Sequence, residues 1–342
     1  MSLSWVSKAS RNTMRFALAG VLGSLVAMHA NADSLTLYSA QHEQLTELLA
    51  KDFEQASGIS VRVRDGEGPA LAAQLITEGS ASPADVYFTE NSPELMLLEE
   101  KGLLAPVGAD TLKVIPSRFD SPTGAWVGVV ARENVLAYNT VKVQAAQLPA
   151  SLFDLAQPQW KGKVGIAPSD ADFLPLVSAV LAEKGHDATV QWLKGMKTNS
   201  QIFDDDEGVV AAVNRGGVAT GLINNYYWAR LHIGLGDAAT HSAIHHFGNG
   251  DVGALVVVSG AAILKSSKNI DAAQKFLAYL VSERAQKVMA TTHIDFEYPL
   301  RAGVAADPIL KPFDQLNPPA INVEKLGDDS QAAKLLREAG LL

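Results

Sequence analysis

Strand-like and helix-like stretches alternate along nearly the whole chain, and this alternation limits the fold more than any other feature. "SLTLYSA" (34–40) alternates apolar and polar residues as a half-buried strand does. It runs into "QHEQLTELLAKDFEQASG", where Leu45, Leu48, Leu49 and Phe53 share one helical face and Gly58 supplies the stop. "ISVRVRDG" then reads as a strand, "PALAAQLITEGSAS" as a helix, and "ADVYFTEN" as a strand ending in polar residues. The theme returns in "WKGKVGIAPSDADFLPLVSAVLAEKG" and in "GVATGLINNYYWARL". Such a succession predicts an α/β protein with mostly parallel, doubly wound sheets joined by short loops. A chain of 342 residues exceeds what one hydrophobic core usually serves, so two lobes are expected. Two longer strands, "WVGVVARENVLAYN" (126–139) and "GALVVVSGAAIL" (253–264), sit where one lobe hands over to the other and make a two-strand crossover hinge. "AAQKFLAYLVSERAQKVMA", "EYPLRAG" and a final helix "DSQAAKLLREAGLL" complete the lobes.

The first residues carry Lys8, Arg11 and Arg15, then the apolar "FALAGVLGSLVAM", then "HANAD", whose Ala30 and Ala32 suit signal peptidase. Residues 1–32 are therefore expected to be a signal peptide cleaved before Asp33, its apolar run being too short to span a membrane comfortably, and the mature protein to be soluble in the periplasm. The chain has no cysteine, which excludes disulfides, thiolate nucleophiles and thiolate metal sites together. A formal charge of -9 without a basic stripe argues against nucleic acid as a partner.

In open α/β sheets a ligand sits beyond the carboxyl ends of the strands. The residues expected there are His42, Glu90, "SDAD" at 169–172, and Asn224 to Tyr227. Singly, each has an ordinary structural role: a packed tyrosine pair, a histidine on the first turn of a helix, a carboxylate favoured at a helix entry. Together, one imidazole, one carboxylate and two phenols make a hard donor set that suits a small trivalent cation better than zinc, copper, magnesium or calcium. A tyrosine loses its proton only near pH ~10, so the ion must be charged enough to displace it, as ferric iron is. Two phenolates and one carboxylate would offset the three charges of Fe(III). An oxygenase would want two histidines with one carboxylate, and a hydrolase a nucleophile beside a base; neither G-x-S-x-G nor H-E-x-x-H occurs, and no enzyme is expected.

"LYSAQH", "SPADVYFTEN", "PQWKGKVGIAP", "WLKGMK", "LINNYYW", "GALVVVSGAAILKSS" and "EYPL" resemble, in order and over the whole mature chain, segments of the periplasmic ferric-ion-binding proteins of bacterial iron(III) ABC transporters. The resemblance implies a two-lobed, transferrin-like binding-protein fold. The lobes expected are 33–132 with 259–310, and 133–258 with 311–342. It also implies capture of Fe(III) between the lobes and delivery to an inner-membrane ABC permease, by a protein most simply a monomer. Carried over by motif, His42, Glu90, Tyr226 and Tyr227 are the iron ligands, and Asn224 helps to hold what fills the remaining positions, such as a phosphate, carbonate or citrate anion. The alternative is a binding protein of the same fold for an organic anion or a polyamine.

The chain departs from the phosphate-using members of that family, in which a small, neutral serine and glycine loop at a helix N-terminus holds the anion. Here "PSDADFLP" puts Asp170 and Asp172 in the corresponding loop with Ser169 and Ala171, and "FDDDEG" (203–208) adds more carboxylates. Asp170 or Asp206 is the candidate to replace the anion or to bind iron directly. Ser169 or Asp170 equally suits an N-cap, and Asp204 to Glu207 an ordinary solvated loop. Arg132, in the first crossover strand, either compensates the acidic cleft, pairs with an anion or forms a hinge salt bridge. His245 and His246 are too few for a zinc site.

Overall fold

The structure is a computed structural model that describes residues 34–342. The expected signal peptide and its cleavage point lie outside the described residues. The first half of the fold begins with β1 (Ser34–Ala40), α1 (Glu43–Ser57), β2 (Ser60–Asp65), α2 (Gly68–Glu78), β3 (Val86–Thr89), α3 (Ser92–Glu100), β4 (Leu104–Ala105) and α4 (Ala109–Leu112). Strand β5 (Trp126–Asn139) leads to β6 (Val164–Ile166), α5 (Phe173–Lys184), α6 (His186–Asn199), β7 (Ser200–Ile202), α7 (Asp206–Arg215), β8 (Thr220–Asn224), α8 (Asn225–Leu235) and β9 (Ser242–His245). Strand β10 (Val256–Leu264) returns to α9 (Ile270–Leu280), α10 (Glu283–Thr291) and β11 (Tyr298–Pro299), and the described chain closes with α11 (Val323–Leu326) and α12 (Ser330–Ala339). No helix among the described residues is long and apolar enough to cross a membrane.

Two parallel units flank two long antiparallel strands, in the order β2-β1-β3-β10-β5-β8-β6-β7. Strands β1, β2 and β3 are parallel to one another, as are β6, β7 and β8, while β5 and β10 pair antiparallel. The first part of β5 pairs with β10 and β11, and its last residues, Asn134 to Asn139, pair with β8 and β9. β5 is therefore the crossover strand expected over 126–139, residue for residue. β10 starts at Val256 rather than Gly253, because Val252–Ala254 forms a 3-10 turn capped by the Asp251 side chain.

Side-chain alternation explains the layers. Along β5 and β8, Leu136 and Leu222 enter one apolar cluster with Leu176, Trp192 and Leu335, whereas Val135 and Ile223 enter another with Val209 and Val213. Successive strand residues point to opposite faces, so a strand buried on both sides must be apolar throughout, as "VLA" and "GLI" are. A third cluster holds Leu35, Leu37, Phe53, Trp126 and Phe276 around β1 and α9. Full burial of each such side chain contributes about 1.5–3 kcal/mol. Helix α1 ends at Gly58, whose φ of 74° few other residues adopt readily. The expectation of short loops fails over 300–322, which holds only one 3-10 turn, Phe313–Gln315. Pro308, Pro312, Pro318 and Pro319 remove the backbone donors that a regular element needs there.

Candidate metal-binding cleft

Each candidate residue occupies the junction after a parallel strand. His42 is the N-cap of α1 after β1, Glu90 follows β3, Asp172 is the N-cap of α5 after β6, and Tyr226 and Tyr227 stand in the first turn of α8 after β8. His42, Glu90, Asp170, Asp172, Tyr227 and Arg230 line a cavity of about 700 Å³. Tyr226 is fully buried against it.

The two phenol groups converge on one carboxylate. Asp172 Oδ2 accepts hydrogen bonds from Tyr226 at 2.9 Å and from Tyr227 at 3.3 Å, and the two rings lie 4.1 Å apart. The His42 ring meets that of Tyr226 edge-on at 5.1 Å, and His42 Nε2 lies 3.4 Å from Glu90 Oε1. Beneath them is Arg132, fully buried, 2.8 Å from Asp172, 3.5 Å from Glu297 and 4.0 Å from Glu90. Its guanidinium also donates to the Glu90 carbonyl, Asn91 Oδ1 and Ser259 Oγ.

Burial alone would favour a neutral Asp172, but Arg132, Asn224 and the Tyr226 hydroxyl outweigh it and hold the carboxyl below its usual pKa. Burial raises Glu90 to about 7 against the pull of His42 and Arg132, and raises Asp170 to about 6 with help from Asp172. Asp206 is pushed well up by burial and then by Asp170 and Asp172. Both phenols are pushed well above their ordinary value, by burial first and then by Asp172. They are therefore neutral in the metal-free protein, and only a strongly polarising cation displaces their protons. Burial opposes a charge on His42, yet Glu90 and Asp295 outweigh it and raise its pKa.

Residues 38–287 match the family described as bacterial extracellular solute-binding protein. The chain belongs to that family. A similar protein, the Fe(3+)-binding periplasmic protein of Serratia marcescens, is 40% identical over 317 residues, covering 92% of this chain and 93% of that one. Iron-bound HitA from Pseudomonas aeruginosa has a similar structure, with a TM-score of 0.86 at 43% identity over 90% of this chain and 99% of that one. A Trichodesmium protein (IdiA, FutA) in complex with iron and citrate gives a TM-score of 0.79 at 32% identity, again over 90% and 99%. This chain is thus a two-lobed solute-binding protein, not an enzyme.

Several residues in the cleft of this solute-binding protein differ in role from the sequence expectation. Asp170 does not cap α5 as its N-cap residue; its Oδ1 accepts from the Asp172 backbone and its Oδ2 from the Asp206 backbone, so it ties two loops together. Asp206 is buried at the start of α7 instead of lying in a solvated loop, and accepts from the Asn224 backbone at 3.3 Å. Ser169 Oγ donates to the Asp204 carbonyl, and Ala171 lines the cavity beside it. The buried Asn224 carboxamide favours the charge on Asp172 but forms no well-aligned hydrogen bond among the described residues. Arg132 is the hinge ion pair and the compensating charge at once. His245 binds the Pro149 carbonyl and His246 the buried Glu133, away from this cleft. Sequence reasoning missed Asp295 and Glu297, both 2% exposed. Glu297 accepts from Gln41 and Ser259, and Asp295 lies against His42.

The buried carboxyls set a pH dependence. Burial raises Glu94 to about 8, with Asp329 adding to it, and burial raises Asp120 and Asp329 each to about 7, in addition to Glu90. A carboxyl whose pKa is higher folded than unfolded contributes stability below its unfolded pKa and loses it as pH rises through the folded value. His42 acts with the same sign, and Asp172, shifted down, acts oppositely at lower pH. The thermal midpoint of the metal-free protein is therefore expected to fall between about pH 5 and about pH 8. A flat or rising midpoint across that interval means that water relieves these groups.

Proposed function

We propose that this protein captures Fe(III) between its lobes in the periplasm and delivers it to an inner-membrane ABC permease. The observation that carries the reading is the convergence of two neutral phenols, one buried and one half-buried, on one ionised carboxylate, beside an imidazole and a second carboxylate. His42 and Glu90 would bind from one side, Tyr226 and Tyr227 as phenolates from the other. Ligands divided between lobes give the ion a higher affinity for the closed state, which is what closure on capture requires. The names of the Serratia and Pseudomonas relatives support the same reading, and export through a signal peptide cleaved before Asp33 is proposed with it. The lobes proposed are 33–132 with 259–310 and 133–258 with 311–342, and the crossing of β5 and β10 between the apolar clusters supports them. The working form is proposed to be a monomer.

Asp172, rather than Asp170 or Asp206, is the carboxylate proposed to stand where other members place an anion. Asp170 and Asp206 have accepting oxygens committed to backbone N–H groups, while Asp172 is ionised, held by Arg132 and already on both phenol oxygens. Iron uptake in anion-stripped buffer is expected to change by less than about threefold when phosphate or carbonate is added, and Asp172→Ala is expected to make it anion-dependent. A large gain of affinity with phosphate in the unaltered protein would overturn this assignment. An organic anion is disfavoured because Arg132 and Arg230 are both committed to carboxylates. A polyamine would suit the acidic rim but needs no converging phenols. Mixing with ferric citrate separates the readings: phenolate-bound Fe(III) is orange to red, and a colourless mixture sinks the iron reading.

A further inference from the structure

We infer that Asp295 is a positioning residue for His42, and that Arg230, on the helix that carries both phenols, fixes Asp295 in turn. This deepens the Fe(III) reading and rests on it. All the bonding of Asp295 runs through one oxygen: Oδ1 lies 2.9 Å from His42 Nδ1 and 2.7 Å from Arg230 Nη2, while Oδ2 has no partner among the described residues. The contact with His42 is an ion-pair distance lying off the line of the ring N–H. The other ring nitrogen, Nε2, is the one beside Glu90. A histidine that gives one nitrogen to a metal commonly gives its other N–H to a carboxylate, which fixes the tautomer and the ring orientation. Asp295 stands in that position, and it is 2% exposed, with His42 Nδ1 itself shut off from solvent.

The backbone around Asp295 is constrained to hold it there. His293 and Phe296 adopt φ values of 56° and 52°, a region that side-chain-bearing residues seldom occupy. Helix α8 ties down this turn at three points. Arg230 Nε donates to the Ile294 carbonyl at 2.8 Å, Arg230 Nη2 to Asp295, and Asn225 Nδ2 to the Phe296 carbonyl at 3.1 Å. The guanidinium also lies over the Tyr226 ring, 4.8 Å from its centre. With the lobes together as they stand here, one helix presents the phenols and registers the turn that aims the imidazole, so the donors of the two lobes are set relative to one another in this arrangement.

The test is ¹⁵N NMR of the histidine ring nitrogens in the metal-free protein, combined with iron affinity by competition against citrate in a cycle of Asp295→Asn, His42→Ala and the double variant. In the unaltered protein, neutral His42 is expected to keep its proton on Nδ1, and Asp295→Asn to shift that population toward Nε2. Iron binding should weaken about 10- to 100-fold in Asp295→Asn but by less than about threefold when His42 is already alanine. If Asp295→Asn does not fold, Arg230→Gln gives the same two readouts in the same direction. An unchanged tautomer, or an equal loss of affinity with and without His42, overturns the inference. If the unaltered protein takes up no Fe(III), the function proposed above fails, and the NMR measurement still decides the role of Asp295.

Discussion

Arg132→Met is expected to destabilise the metal-free protein by about 3–5 kcal/mol, because it strands buried carboxylates without their cation. The guanidinium is fully buried and lies within 4.0 Å of Asp172, Glu297 and Glu90. Methionine fills most of the volume, so the loss is electrostatic rather than a cavity effect. The sign of its pH dependence follows. The orphaned carboxyls become easier to tolerate when protonated, so the deficit should shrink between about pH 8 and about pH 5. Denaturant unfolding at the two pH values measures it. A loss below about 1 kcal/mol at both would mean that water reaches the carboxylates and that Arg132 is dispensable for the fold.

Removal of the phenols should have the largest effect on iron. Tyr226→Phe and Tyr227→Phe each delete a donor oxygen, and each is expected to cost more affinity than the about 10- to 100-fold typical of losing an outer partner of a ligand. The double variant should remove the visible band altogether. The two single variants should differ in stability. Tyr226 is fully buried and makes the shorter bond to Asp172, so its loss should cost about 1–3 kcal/mol, whereas Tyr227, half-buried with a 3.3 Å bond, should cost less. Comparing melting with iron titration therefore separates a folding role from a binding role. A double variant that still colours with Fe(III) would sink the ligand assignment.

Much of the architecture was legible because its signals are local. The alternation in "SLTLYSA", the apolar face of α1 and the continuous apolar run in β5 each specify an element from neighbouring residues alone. The rule that ligands gather after parallel strands pointed to His42, Glu90 and the tyrosines, each within a few residues of a strand end, and the structure brings these side chains together. It failed for Asp295 and Glu297. They sit between α10 and the two-residue β11, in a turn without a period to read, and they reach the site through tertiary contacts with residues distant in sequence, Gln41, His42, Arg132, Arg230 and Ser259. The string "DFEYPL", with two carboxylates around a phenylalanine in an otherwise apolar context, was the available hint. Asp172 was visible, but sequence could not tell which of three nearby acids turned toward an arginine forty residues away.

β5 has a consequence for how the molecule can be divided. It supplies an interior strand to both halves, with Arg132 beside the point where its pairing passes from β10 to β8. Cutting the chain after residue 132 would leave each half with an incomplete sheet and an open backbone edge. Neither lobe should then persist as an isolated fragment, and grafting a lobe from a relative would require transplanting this strand whole.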